Sequence, residues 1–261
     1  MNRPISIFIL DVSNSSSPAM GDRLTNYLDD LVNWVTIWTE EVVPCKMKHR
    51  AGDEIIFVGY GYSTAYILAF FISRIWKYKD HAPYFGLSFG DIDKELEEVD
   101  IEKWIHPLIK QARYANDLLK KEQVRPLFKF ELDQFYENNT LSPYNLFRHE
   151  FEILINSILR LQMTMLKEQT HIQEQVCTLY LILQQQKAVA TLLGKTAPTI
   201  SSHFKKGKAE EILNVFGEVI TILNSLQGKS YLNDQGIVRS DILKASIRNH
   251  LKENAVKVNF Q

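Results

Sequence analysis

Two carboxylates stand where a chain could use them together. Asp11 closes the apolar run from Ile5 to Leu10, and Asp53 falls at the turn of CKMKHRAGDEIIFVGYG, Cys45 to Gly61, a stretch that reads as two short strands. If those strands are neighbours the carboxylates meet, and two like charges that close repel strongly unless a cation lies between them. Few, hard oxygen ligands are what Mg²⁺ (or Mn²⁺) takes when nucleotide phosphates and waters complete its octahedron, and the small Gly52 allows close approach. The alternative is structural: Asp11 caps a loop through its side chain and Asp53 occupies a surface turn, as Asp often does.

A second constellation is basic. In QQKAVATLLGKTAPTISSHFKKGK, Gln185 to Lys208, Ala190 is followed by Gly194 four residues on and Ile200 six residues later. A helix-turn-helix needs that spacing: a small residue where two helices cross, a glycine for a left-handed turn, and a branched apolar anchor in the second helix. Val189, Leu192, Leu193 and Phe204 complete the apolar side, and Thr196 or Ala197 starts the second helix with Pro198 in its first turn. The exposed side then carries Thr199, Ser201, Ser202 and His203, suited to base edges, and Lys195, Lys205, Lys206 and Lys208, suited to phosphates. From Lys187 to Lys208 there are five lysines and no acid, the local footprint expected of a DNA-binding face. The alternative is an ordinary helical corner with a solvated basic side. LQGKS, Leu226 to Ser230, ends like a phosphate loop, but Leu223 stands where that motif needs glycine.

These groups need elements to hold them. Strand and helix signals alternate through the first half: Ile5 to Leu10 extended, Arg23 to Thr39 helical, the hairpin, Thr64 to Lys77 helical, Ala82 to Gly90 extended, and a helix from about Ile105 to Lys120. The order β-α-β-β-α-β-α predicts an α+β, ferredoxin-like sheet in which the Asp11 and Asp53 strands are central neighbours. From Tyr144 onward apolar residues recur at three and four (Phe147, Phe151, Leu154, Ile155, Ile158, Leu161, Met165), which predicts an all-α half. The expected domains are 1–125 and 144–261, with the helix-turn-helix at 186–206, and the boundary falls between Gln123 and Pro143. Glu210 to Leu226 reads as an amphipathic packing or dimerisation helix.

Composition narrows the class. Over 261 residues, 45% hydrophobic and 11% aromatic content suffices for substantial cores, and a net charge of -1 excludes a globally basic nucleic-acid coat, so DNA contact has to be local. Cys45 and Cys177 form no CxxC and support neither a disulfide framework nor a cysteine zinc site. The longest apolar run, Ala65 to Ile72, is far below the ~20 residues of a membrane helix. The opening apolar stretch breaks at Ser6 and ends at Asp11, unlike a secretory leader, so the cytoplasm is the expected compartment.

ILDVSNSS (Ile9 to Ser16), RAGDEIIFV (Arg50 to Val58), YFGLSFGDI (Tyr84 to Ile92) and HPLIKQARYA (His106 to Ala115) resemble, in that order and spacing, the nucleotidyl-cyclase palm. The chain is most similar to the SatD family, in which such a palm precedes a helix-turn-helix; the resemblance covers roughly positions 5 to 120 and 185 to 206. It implies that Asp11 and Asp53 hold the metal, that Ser13, Asn14, Lys48, His49 and Gly52 lie around a nucleotide, and that Arg113 and, more loosely, Lys110 steady phosphate charge in catalysis. Departures are visible. His49 stands where a class III cyclase has its base-reading lysine, with Lys48 one place further out, and Ala51-Gly52 replaces the Gly-Gly of a diguanylate cyclase turn. Arg113 and Lys110 also fit a merely solvated helix face. Three readings follow: a cytoplasmic DNA-binding transcription regulator whose palm senses a Mg-bound nucleoside triphosphate or derivative, an active nucleotidyl cyclase or transferase, and a scaffold with neither activity. A homodimer is implied by analogy.

Overall fold

The computed structural model describes residues 3–13, 21–50, 52–132, 147–227 and 235–254. The first half runs β1 (Arg3–Val12), α1 (Gly21–Thr39), β2 (Cys45–His49), β3 (Ile55–Tyr60), α2 (Thr64–Arg74), β4 (Pro83–Ile92), a 3₁₀ turn (Leu96–Glu98), α3 (Pro107–Lys121) and β5 (Phe128–Phe130). The five strands lie in the order β2-β3-β1-β4-β5. β1 pairs antiparallel with both β3 and β4, β2 antiparallel with β3, and β5 parallel to β4. β1 and β2 are therefore parallel with β3 inserted between them, and β3 and β4 are parallel with β1 between them. Two split crossovers interleave around β1.

β1 is apolar along its length because both its faces are covered. Ile5, Ile7 and Ile9 join the core under α3, while Phe8, Leu10 and Val12 face α1 and α2. α3 lies so close to the sheet that a Cβ on Gly86 would stand 2.1 Å from Ala112 O, and Asn116 Nδ2 donates to Ile9 O at 3.2 Å. β5 falls inside the interval expected to be a boundary and adds a strand that the periodicity did not predict.

The second half is α4 (Arg148–Glu168), α5 (His171–Leu183), α6 (Gln186–Leu193), α7 (Ala197–Lys206), α8 (Ala209–Leu226) and α9 (Gln235–Glu253), with no strand among the described residues. It packs on the outer side of α2, every residue of which from Thr64 to Ile72 is buried. Phe70 stacks on Phe216 of α8 at 4.1 Å between ring centroids, Tyr66 lies between Phe128 and Phe216, and Arg74 Nη2 donates to Thr178 Oγ1 at 3.0 Å. One apolar core runs from the sheet through α2 into α5, α8 and α9. α2 is apolar all round because it has no solvent side. Among the described residues no helix is long and apolar enough to cross a membrane.

Candidate functional site

Asp11 lies one residue past the last β1–β3 pair, Leu10 with Ile55, and opposite Tyr84 on β4. Its place in the alternation turns it to the α3 face, with Ile5, Ile7 and Ile9. Asp53 follows Gly52, whose φ of +103° makes the β2–β3 turn one that L side chains rarely adopt. The turn brings Asp53 against Asp11. Burial holds the Asp11 carboxyl above the ordinary carboxylate range, Lys120 pulls the other way, and the contact and charge of Asp53 add to the rise. The Asp11 side chain is 13% exposed and forms an ion pair with Lys120. The Lys120 ammonium is partly buried, which acts to lower its pKa. The hydrogen bond and charge of Asp11, with the charges of Asp117 and Asp53, outweigh that and raise it.

Lys120 was not among the residues the sequence singled out. Lys110, Arg113, Asp117 and Lys120 follow one another at three, four and three, so they form one stripe of α3 along the hairpin side. Reading that stripe two turns past Arg113 would have found it. Arg113 Nη2 donates to Glu54 Oε1 at 3.2 Å, and Arg50 Nη1 reaches the same oxygen at 3.2 Å. Arg113 is thereby tied to the residue next to Asp53, whereas Lys110 is exposed and pairs with nothing among the described residues.

The remaining expected nucleotide contacts divide between the two faces. Lys48 and His49 are consecutive on β2 and point to opposite sides. Lys48, on the α3 side with its pair partner Ile56, forms an ion pair with Glu102 at 2.5 Å. His49 braces the turn from the α1 side: Nδ1 lies 2.8 Å from Asp29 Oδ1 and Nε2 lies 3.1 Å from Gly52 O. Ser13 is buried, its N–H donating to Ala82 O at 3.0 Å and its carbonyl lying 3.1 Å from His81 Nδ1. Gly52 is exposed, and Asn14 lies outside the described residues. The α3 side thus gathers Asp11, Asp53, Lys120, Arg113 and Lys48, but not His49.

The pair supplies two oxygen ligands, and no cluster of three or more His, Cys, Asp or Glu suited to a metal occurs among the described residues. Two carboxylates fit Mg²⁺ when phosphates supply the rest of its shell. A separate cavity of about 350 Å³ lies at the other end of β1, lined by Arg3, Tyr60, Ser63, Glu95, Asn224 and Ser240 among others, where the sheet meets α8 and α9. No motif in the sequence pointed to it.

In the basic constellation, α6 ends on Gly194 with φ +60°, and Thr196 caps α7 by accepting from Thr199 N at 3.4 Å. Val189, Ala190, Ile200 and Phe204 are buried. Leu192, expected on the apolar side, is 51% exposed, because the eight-residue α6 turns it away from α5 and α7. Lys195, Ser201, Ser202, Lys205 and Lys206 are exposed, and Thr199 and His203 are half-buried. Thr199 Oγ1 is engaged with Thr196 Oγ1 at 2.8 Å. Lys208 pairs with Glu168 at 2.7 Å. Lys195, Lys205 and Lys206 form no ion pair among the described residues.

No family model, curated protein or solved structure matches the chain.

Proposed function

We propose that the chain is a cytoplasmic DNA-binding transcription regulator of SatD type, in which a ferredoxin-like, nucleotidyl-cyclase-type palm binds a nucleoside triphosphate with Mg²⁺ and a helix-turn-helix at α6 and α7 contacts DNA. The observation that carries the reading is the exposed face of α6 and α7, without acidic residues, where Lys195, Lys205 and Lys206, which form no ion pair among the described residues, flank Ser201 and Ser202 above buried Ile200 and Phe204. Unpaired lysines release counterions on meeting phosphates, and short hydroxyl side chains reach base edges. Fluorescence anisotropy at two salt concentrations, on genomic fragments selected by the protein, tests it. Lys205→Ala with Lys206→Ala should weaken binding to every duplex and lower the salt slope by roughly one unit per lost contact, whereas Ser202→Ala should alter preference among sequences. Absence of any duplex binding at low salt removes the reading.

A second reading, nucleotidyl transfer or cyclisation from a triphosphate, is favoured by the Asp11, Asp53 and Lys120 cluster. Asp11 and Asp53 would hold Mg²⁺ (or Mn²⁺), which when bound neutralises developing phosphate charge. Arg113, half-exposed and paired with Glu54, the neighbour of Asp53, would leave that carboxylate for a phosphate oxygen, and Lys110 would extend the same cationic stripe. Calorimetry against ATP and GTP, with and without Mg²⁺, separates binding from turnover. Incubation with labelled triphosphates then decides catalysis, and product that persists in Asp53→Ala removes the assignment.

A further inference from the structure

α4 has one face too many. Its Arg148, Ile155, Leu159, Gln162 and Leu166 are buried against the rest of the chain. On another side Leu154 and Leu161 are 61% and 68% exposed, Ile153 beside them is 52% exposed, and Phe147, the residue at the helix's N-cap, is 64% exposed. Phe147, Leu154 and Leu161 repeat every seven residues, the period of a helix-to-helix seam. Ile158 and Met165 lie half-buried along the same edge. Ion pairing of Arg160 with Glu122 and the bond from Lys167 to Arg125 O pin the 122–125 segment to α4. Val124, within that segment, is 71% exposed.

We infer that this stripe is a self-association surface, and that two copies of the chain pair through α4 in antiparallel fashion about Leu154. At these fractional exposures the stripe leaves roughly 500 Å² of apolar area open per copy, at the upper end of what a monomer usually exposes, and covering it on two copies would bury ~1,000 Å², the total a specific dimer needs. The stripe is complementary to itself. A two-fold axis at Leu154 sets Leu154 on the partner's Leu154, Phe147 on the partner's Leu161 and Leu161 on the partner's Phe147. That is the isologous form a closed dimer takes. Of the exposed residues along one edge of the stripe, Glu150, Ser157 and Thr164, only Glu150 is charged, and Arg160 is already occupied by Glu122. A partner of high charge therefore finds little to bind here.

The test needs neither DNA nor nucleotide, so it stands or falls apart from the proposed function. Sedimentation equilibrium of the full chain should give a mass near twice 30.3 kDa. Leu154→Glu should raise the dimer dissociation constant by on the order of a hundredfold, as expected for a central apolar anchor. Leu154 is exposed, so the variant should keep the parent's circular dichroism and melting temperature; if it does not, Leu161→Asp and Phe147→Ser serve the same purpose. Under oxidation Leu154→Cys should crosslink across the axis, while Phe147→Cys alone should not, because the antiparallel arrangement sets the two copies of that position about 20 Å apart. A parent that sediments as a monomer at high micromolar concentration, a folded Leu154→Glu variant that stays dimeric, or crosslinking of Phe147→Cys overturns the proposal.

Discussion

At the scale of single residues, Asp11 stands where its own charge is unwelcome. Its pKa is raised by burial and by Asp53, so the folded chain binds that proton more tightly than the unfolded one. Stability contributed by this group therefore falls as pH rises through the window just above its ordinary 3.8, and stays lowered at neutral pH. Asp11→Asn should remove that slope: the stability difference between variant and parent, measured by urea denaturation from roughly pH 4 to 8, should move in the variant's favour with rising pH. A difference that moves the other way would mean that Lys120, not burial, sets the balance. Lys120→Met should cost about 1 kcal/mol after screening of a half-exposed lysine, and Mg²⁺ should then raise the variant's melting temperature more than the parent's, since ammonium and metal compete for the same oxygens. Equal Mg²⁺ effects in both would argue against a cation site. Asp11 and Asp53 were legible in the sequence because strand ends and turn positions are local features. Lys120 was legible only as a position on the Arg113 stripe; that its ammonium reaches Asp11 depends on how α3 is rotated on the sheet, which the Gly86 contact and the Asn116 bond decide.

At the scale of elements, two glycines separate conformational from steric demand. Gly86 is in a strand, and an added Cβ would meet Ala112 O at 2.1 Å and Asn116 N at 2.6 Å, both rigid backbone atoms. Gly194 has open space around it and φ +60°. Gly86→Ala should lose about 3 kcal/mol or more by forcing α3 off the sheet, and Gly194→Ala only about 1 kcal/mol of left-handed strain. Chemical denaturation of the two variants checks the ranking, and reversal would mean that α3 can shift freely. The four longer strands and all the helices except α5 and α9 were readable from period and turn residues; α5 and α9 were covered only by the expectation of an all-α half. β5 was not, since three residues pairing in parallel with β4 owe their conformation to a neighbour brought there by α3. The exposed side of α4 was equally hidden: Phe147, Leu154 and Leu161 obey the same spacing as the buried Ile155, and only packing distinguishes the two faces.

At the scale of the molecule, α2 belongs to both halves at once. The grammar of the sequence changes between them, from alternating strands and helices to helices alone, yet the apolar core does not break where the grammar does. Far-ultraviolet dichroism and tryptophan fluorescence should therefore report one coincident unfolding transition, with Trp34, Trp38 and Trp76 on the sheet side sensing loss of the helical side. Two resolved transitions would show that the halves are energetically separate. A chain cut after the sheet would leave Tyr66, Phe70 and Phe71 facing water and should aggregate. The shared helix also bears on how this protein can change over generations. A substitution in the sheet's outer loops or on α7 has one set of neighbours to satisfy, whereas any substitution between Ala65 and Ile72 must suit the sheet and α8 or α9 in the same step. In a saturation library, α2 should be the least tolerant segment of the chain although it carries none of the proposed chemistry, and new variants of the two halves should arise only as co-adapted pairs.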